Sequence, residues 1–87
     1  MSDIVFHKQA WDDYLYWQTE DKKTLVKINK LIKEISRHPY EGTGHPEPLK
    51  HEWQGYWSRR IDKCNRLVYR IIEDNVEIVQ CKAHYDD

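Results

Sequence analysis

Leu25, Ile28, Leu31, Ile32 and Ile35 recur at steps of three and four residues, and His38-Pro39 follows them. That spacing puts all five on one face of a helix, with the interspersed lysines on the other. A proline pushes the residue before it out of the α region, so the helix should end at His38. Asp21 stands where its side chain can cap the first turn. A helix with one wide apolar face must bury that face against something. With 87 residues, it must do so inside a single domain, residues 1–87. Upstream, Trp11, Tyr14 and Leu15 share a helical face and predict a first helix over residues 8–20. Asp12 and Asp13 then fall on its other face, in the first turn, where the helix dipole favours acids. The very short link between the two helices predicts an antiparallel hairpin. Ile4-Val5-Phe6 predicts an opening strand.

Residues 39–48 hold all three prolines and two of the three glycines, which predicts a loop. Three runs after it predict strands, at 56–61, 66–73 and 76–82, with turns at 62–65 and at Asp74-Asn75. In the middle run Leu67, Tyr69 and Ile71 fall on one face, and Arg66, Val68 and Arg70 on the other. The expected fold is α+β: an N-terminal strand, an antiparallel helical hairpin, then a mainly antiparallel β-meander forming one sheet. Four tryptophans and six tyrosines suit the dense core that so small a domain needs. Exposed, the same side chains would form a partner surface.

Formal net charge is only −1, but it is segregated. Residues 1–21 carry one lysine against five acids, whereas residues 22–40 sum to +5 and residues 49–70 to +4. A local basic face can therefore meet phosphate on a nearly neutral protein. Cys64 and Cys81 make no disulfide framework and no zinc-binding spacing. The first residues lack the basic and apolar regions of a secretory signal, and no apolar run is long enough to span a membrane, so the expected compartment is the cytoplasm.

The chemistry-bearing residues lie mostly between Gly42 and Arg66, with His84-Tyr85 near the end. An acid, an imidazole and several guanidinium groups are a sufficient kit for moving protons around a phosphodiester. Glu47 is set between Pro46 and Pro48, which fix the local backbone and so its direction. Without further context it is a solvated loop glutamate, His84 a surface histidine and Arg66 an exposed strand-end arginine. Arg59 and Arg60 are neighbours in a strand and must point to opposite faces. His45 and His51 raise a metal reading, but with no cysteine nearby the pair is no metal motif and no metal site is expected.

Several stretches, taken together and in order, resemble the YoeB/Txe toxins of the RelE/ParE superfamily. They are Trp11-Asp-Asp-Tyr-Leu-Tyr-Trp17, Ile28-Asn-Lys-Leu-Ile-Lys33, Gly42-Thr-Gly-His-Pro-Glu-Pro-Leu-Lys50, Tyr56-Trp-Ser-Arg-Arg-Ile61, Arg66-Leu-Val-Tyr69 and His84-Tyr85. The resemblance implies a RelE-like fold and a homodimer that cuts messenger RNA in the A site of the 70S ribosome without a cofactor. It implies silencing by a YefM-type antitoxin, with DNA met only indirectly through the antitoxin complex. By the same resemblance Glu47 is the general base, His84 the general acid and Arg66 the stabiliser of the scissile phosphate. Lys50, Arg59 and Arg60 become contacts to backbone phosphate or to ribosomal RNA, and because the two arginines face opposite ways only one can lie at the site, with Arg60 beside Lys50 favoured. Tyr85 and Trp57 become base-stacking aromatics, although core packing suits Trp57 equally. The family pattern ends at the tyrosine, whereas here Asp86 and Asp87 follow, so a role for a terminal carboxylate on Tyr85 does not carry over. Two other readings fit the fold: a ribosome-independent RNase using the same residues, and a non-enzymatic ParE-like gyrase poison. The set Glu47, Arg66 and His84 separates them, because a gyrase poison has no use for it.

Overall fold

A computed structural model describes residues 3–83. The chain runs β1 (Ile4–Phe6), α1 (Lys8–Glu20), α2 (Lys22–Arg37), β2 (Glu47–Pro48), a 3-10 turn (His51–Trp53), β3 (Trp57–Arg60), β4 (Arg66–Ile72) and β5 (Asn75–Gln80). The strands form one sheet in the order β1-β5-β4-β3-β2. β1 lies parallel to β5 and every other pair is antiparallel. The α+β expectation holds, with two additions. The opening strand closes one edge of the sheet, and the proline-rich stretch supplies a two-residue strand at the other. Prolines cannot donate to a ladder, so this stretch can pair only at an edge. No helix among the described residues is long and apolar enough to cross a membrane.

The α2 face forms as its spacing predicts. Asp21 caps it by accepting from the Thr24 backbone N–H at 3.2 Å and the Thr24 hydroxyl at 2.9 Å. Ile28, Leu31, Ile32 and Ile35 are buried, and they join Leu67, Tyr69, Val76 and Ile78 of the sheet in one core. The last hairpin turns one residue early. Glu73 and Asp74 both take positive φ, 50° and 69°, as the tightest hairpin turns require. Asn75 then begins β5 and its side-chain oxygen accepts the Asp3 N–H at 3.1 Å.

α1 is rotated from its expected orientation. Trp11 and Leu15 are exposed, while Ala10, Asp13 and Trp17 are buried. Asp12 and Asp13 also fall beyond the first turn, because the helix begins at Lys8. Polar anchors set the rotation. Asp13 Oδ2 accepts the Cys81 N–H at 3.0 Å, and Trp17 Nε1 donates to the Cys81 carbonyl at 2.8 Å. Ala10 leaves room for the close approach, its carbonyl accepting from the Cys81 thiol at 3.6 Å. Trp11 instead stacks on Tyr14, with ring centroids 5.9 Å apart, and meets the edge of Phe6.

Burial, and then the charge of Asp13, push the Cys81 thiol up to about 12. Its reactive thiolate is therefore absent at pH 8. Cys64 is exposed. The native protein is expected to release one equivalent of chromophore from a disulfide reagent at pH 8, and a second only in denaturant. Two fast equivalents in the native protein would show that Cys81 is not sealed by α1.

Candidate active site

Residues Leu67 and Tyr69 turn one face of β4 toward the helices, so Arg66 and Val68 turn the other face away. Register extends this second face across the sheet. Val68 stands opposite Ser58, Ser58 opposite Glu47, and Arg60 opposite Arg66. Directly opposed residues of antiparallel strands share a face. Glu47, Ser58, Arg60 and Arg66, with His45 at the rim, thus line an open cleft of about 280 Å³. Two like charges placed directly opposite each other destabilise a sheet. No ion pair among the described residues engages either Arg60 or Arg66. The pair is suited to an anion between the two guanidinium groups.

The loop that delivers Glu47 is held from behind by Arg59, which is 0% exposed. Its Nη2 donates to the carbonyls of His38 at 2.6 Å and Glu41 at 2.8 Å. Nη1 donates to the Thr43 carbonyl at 3.2 Å and forms an ion pair with Glu34 of α2. Nε donates to the Tyr69 hydroxyl, which in turn donates to the Pro39 carbonyl at 2.6 Å. Glu34 also accepts the Thr43 N–H and hydroxyl. That N–H, ahead of the hydroxyl and Arg59, holds the Glu34 carboxyl below its ordinary range against the opposing effect of desolvation. Gly42 and Gly44 permit the close packing. A side chain at Gly42 would strike the Glu34 carboxylate, and a Cβ at Gly44 would lie 2.9 Å from the Arg60 carbonyl. The Arg60 N–H donates to the Gly44 carbonyl at 2.6 Å, which ties the loop to β3 just before Glu47.

Two expectations for RNA contacts change with this geometry, those for Arg59 and Trp57. Arg59 cannot meet phosphate, because it is enclosed and every arm of its guanidinium is engaged. Trp57 shares the helix-side face with Arg59 and packs against the core and Tyr40, whose ring centroid is 4.8 Å away. It does not face the cleft. Lys50 is exposed just beyond β2 and is not among the residues lining the cleft, where Arg60 joins Glu47 and Arg66. His45 and Ser58 line the cleft without having been expected there. Strand alternation from Arg60 points to Ser58, whereas only the tertiary course of the loop brings in His45. Among the described residues, no three His, Cys, Asp or Glu side chains gather in a metal-holding arrangement.

His84 and Tyr85 lie outside the described residues. The chain is anchored immediately before them. Ala83 donates its N–H to Asn65 Oδ1 at 2.7 Å, and its carbonyl accepts the Arg66 N–H at 3.0 Å. Asn65 is itself held by Asp62, which accepts from its backbone and side chain.

Residues 6–85 match the family model of YoeB-like toxins of bacterial type II toxin–antitoxin systems. Toxin YoeB of Escherichia coli K12 is 51% identical over 82 residues, covering 94% of this chain and 98% of that one. Two solved structures from Staphylococcus aureus are similar throughout. The toxin in a heterotetrameric YoeB–YefM complex superposes with a TM-score of 0.89 at 46% identity, over 98% of this chain and 99% of that one. A YoeB dimer does so with a TM-score of 0.90 at 47% identity, over 97% and 98%.

Proposed function

The chain belongs to the YoeB-like toxins of bacterial type II toxin–antitoxin systems, and from that premise we propose that it is a ribosome-dependent endoribonuclease that inhibits translation by cutting messenger RNA. The observation that carries this reading is the convergence of Glu47, Arg60 and Arg66 on one open face of the sheet. A carboxylate beside two guanidinium groups fits a 2′-hydroxyl beside a phosphodiester. Glu47 removes the 2′-OH proton. The 2′-oxygen attacks phosphorus, and Arg66 with Arg60 neutralises the charge gathering on the phosphoryl oxygens. His84 protonates the 5′-oxygen as its bond to phosphorus breaks. The products are a 2′,3′-cyclic phosphate and a free 5′-hydroxyl. DNA lacks the attacking group and is not a substrate. The tether of Ala83 to Asn65 and Arg66 holds the end of the described chain at the start of β4.

The ribosome supplies the message already positioned, which a toxin of net charge −1 needs more than a strongly basic free RNase would. By likeness to the Staphylococcus aureus assemblies, the partners are a YefM-type antitoxin and a second copy of the toxin. The antitoxin covers the basic surface of Arg60, Arg66 and Lys50 with acidic and apolar residues. The cytoplasm, where ribosomes and the antitoxin meet the toxin, is its proposed site of action.

Primer extension on a translated message, with and without ribosomes, tests the reading. Cuts at codon-related positions are expected only with ribosomes, and a message blocked at the 2′-OH is expected to stay intact. Equal cutting of naked RNA would make the protein a free RNase. Lost supercoiling with intact RNA would make it a gyrase poison.

A further inference from the structure

His45 holds a backbone conformation that few histidines adopt. Its φ is 54°, in the left-handed region, which a non-glycine residue keeps only where its surroundings impose it. Here the chain is fixed on both sides. The Gly44 carbonyl accepts the Arg60 N–H at 2.6 Å, and Glu47 is paired with Ser58 across the β2–β3 ladder. His45 sits between these two ties, exposed, on the wall of the cleft. These ties account for the backbone conformation, and the imidazole itself adds nothing to the core. Among the described residues, the titratable and polar groups that line the cleft with it are Glu47 from β2, Ser58 and Arg60 from β3, and Arg66 from β4.

We propose that His45 is a pH-dependent contact to the RNA phosphate in this cleft, a third cation beside Arg60 and Arg66 whenever its ring is protonated. The inference rests on the ribonuclease reading above and adds to it a regulation of the same site. A neutral imidazole offers a phosphate one hydrogen bond at most, whereas an imidazolium offers a charge as well. Imidazoles change charge near neutral pH, so substrate should be held more tightly in mild acid. The side chain is exposed, which limits the gain to roughly three- to fivefold in affinity. His84, the proposed general acid, is an imidazole as well, so a pH profile of the parent alone does not single out His45.

The test compares the full chain with its His45→Gln and His45→Lys variants. Each is bound to ribosomes programmed with a 2′-O-methyl message, which cannot be cut, at pH 6 and pH 8. The parent should bind roughly three- to fivefold more tightly than His45→Gln at pH 6, with the gap narrowing by pH 8. His45→Lys should bind more tightly than His45→Gln at both pH values, because lysine keeps its charge. Cleavage of the unmodified message by the parent is measured alongside. A parent-to-Gln ratio that does not move with pH, with parental cleavage intact, would overturn the role of His45 alone. A His45→Lys variant no tighter than His45→Gln would do the same. An inactive parent would overturn the ribonuclease reading itself.

Discussion

Glu47→Gln is expected to slow single-turnover cleavage of a ribosome-bound message by about 100- to 10,000-fold, the usual range for loss of a general base. The amide cannot accept the 2′-OH proton, yet it keeps the size of the side chain. The fold should survive. Glu47 is exposed at the edge of the sheet, and β2 is held through its backbone by pairing with Ser58 and Trp57. Melting temperature and antitoxin binding are therefore the controls. Loss should fall on the rate constant rather than on ribosome affinity, because removing the carboxylate takes away a proton acceptor and leaves both arginines in place. A well-folded Glu47→Gln variant that cuts at the parental rate would remove Glu47 from the chemistry, and with it the reading of the cleft as an acid–base site.

Arg59→Leu is expected to lower stability by about 3 kcal/mol, which in a domain of this size moves the melting temperature down by roughly 15 °C. Leucine fills part of the space but donates nothing. The carbonyls of His38, Glu41 and Thr43 lose their shared donor, and so does the Tyr69 hydroxyl. Replacing one partner of a buried polar set costs more than replacing the whole set, because the others stay behind unsatisfied. Cleavage should fall as well, since the same loop carries Gly44 and leads into Glu47. Glu34→Gln is the milder companion, because an amide oxygen still accepts the Thr43 N–H. The folded Glu34 carboxyl is held below its ordinary value. Its contribution is therefore present in full above the ordinary glutamate range and fades as pH falls through the lowered value. Acid melts should show this component in the parent and not in Glu34→Gln. An Arg59→Leu variant that melts within a degree or two of the parent would mean that the loop is held by something else.

The two arginines of the Trp57-Ser-Arg-Arg60 run separate what local order shows from what it hides. Alternation along a strand requires Arg59 and Arg60 to face opposite ways, and that much needs no structure. Which of them faces in depends on the register with β4, because Leu67 and Tyr69 commit their face to the helices and Arg59 lies on that face. The resemblance implies an RNA contact for both, with Arg60 favoured for the site, whereas packing leaves only Arg60 for the cleft and makes Arg59 the pin of the loop. Trp57 follows Arg59 for the same reason.

The sequence by itself determined the order of the two helices and of the strands other than β2, the buried face of α2, the capping by Asp21, and the family. These depend on neighbours a few residues apart, whose effects on backbone and periodicity are local. Only the tertiary structure decided the rotation of α1, the pairing of β1 with β5, the edge strand at Glu47 and the company kept by His45. In α1 the apolar pattern favours Trp11 and Leu15, but Asp13, accepting the Cys81 N–H, and Trp17, donating to the Cys81 carbonyl more than sixty residues away in the chain, turn a different face inward. A buried carboxylate with a backbone partner looks, in sequence, the same as one in water. The cleft has the same character: its walls come from one loop and three strands, and their side chains meet only because the register of the sheet aligns them.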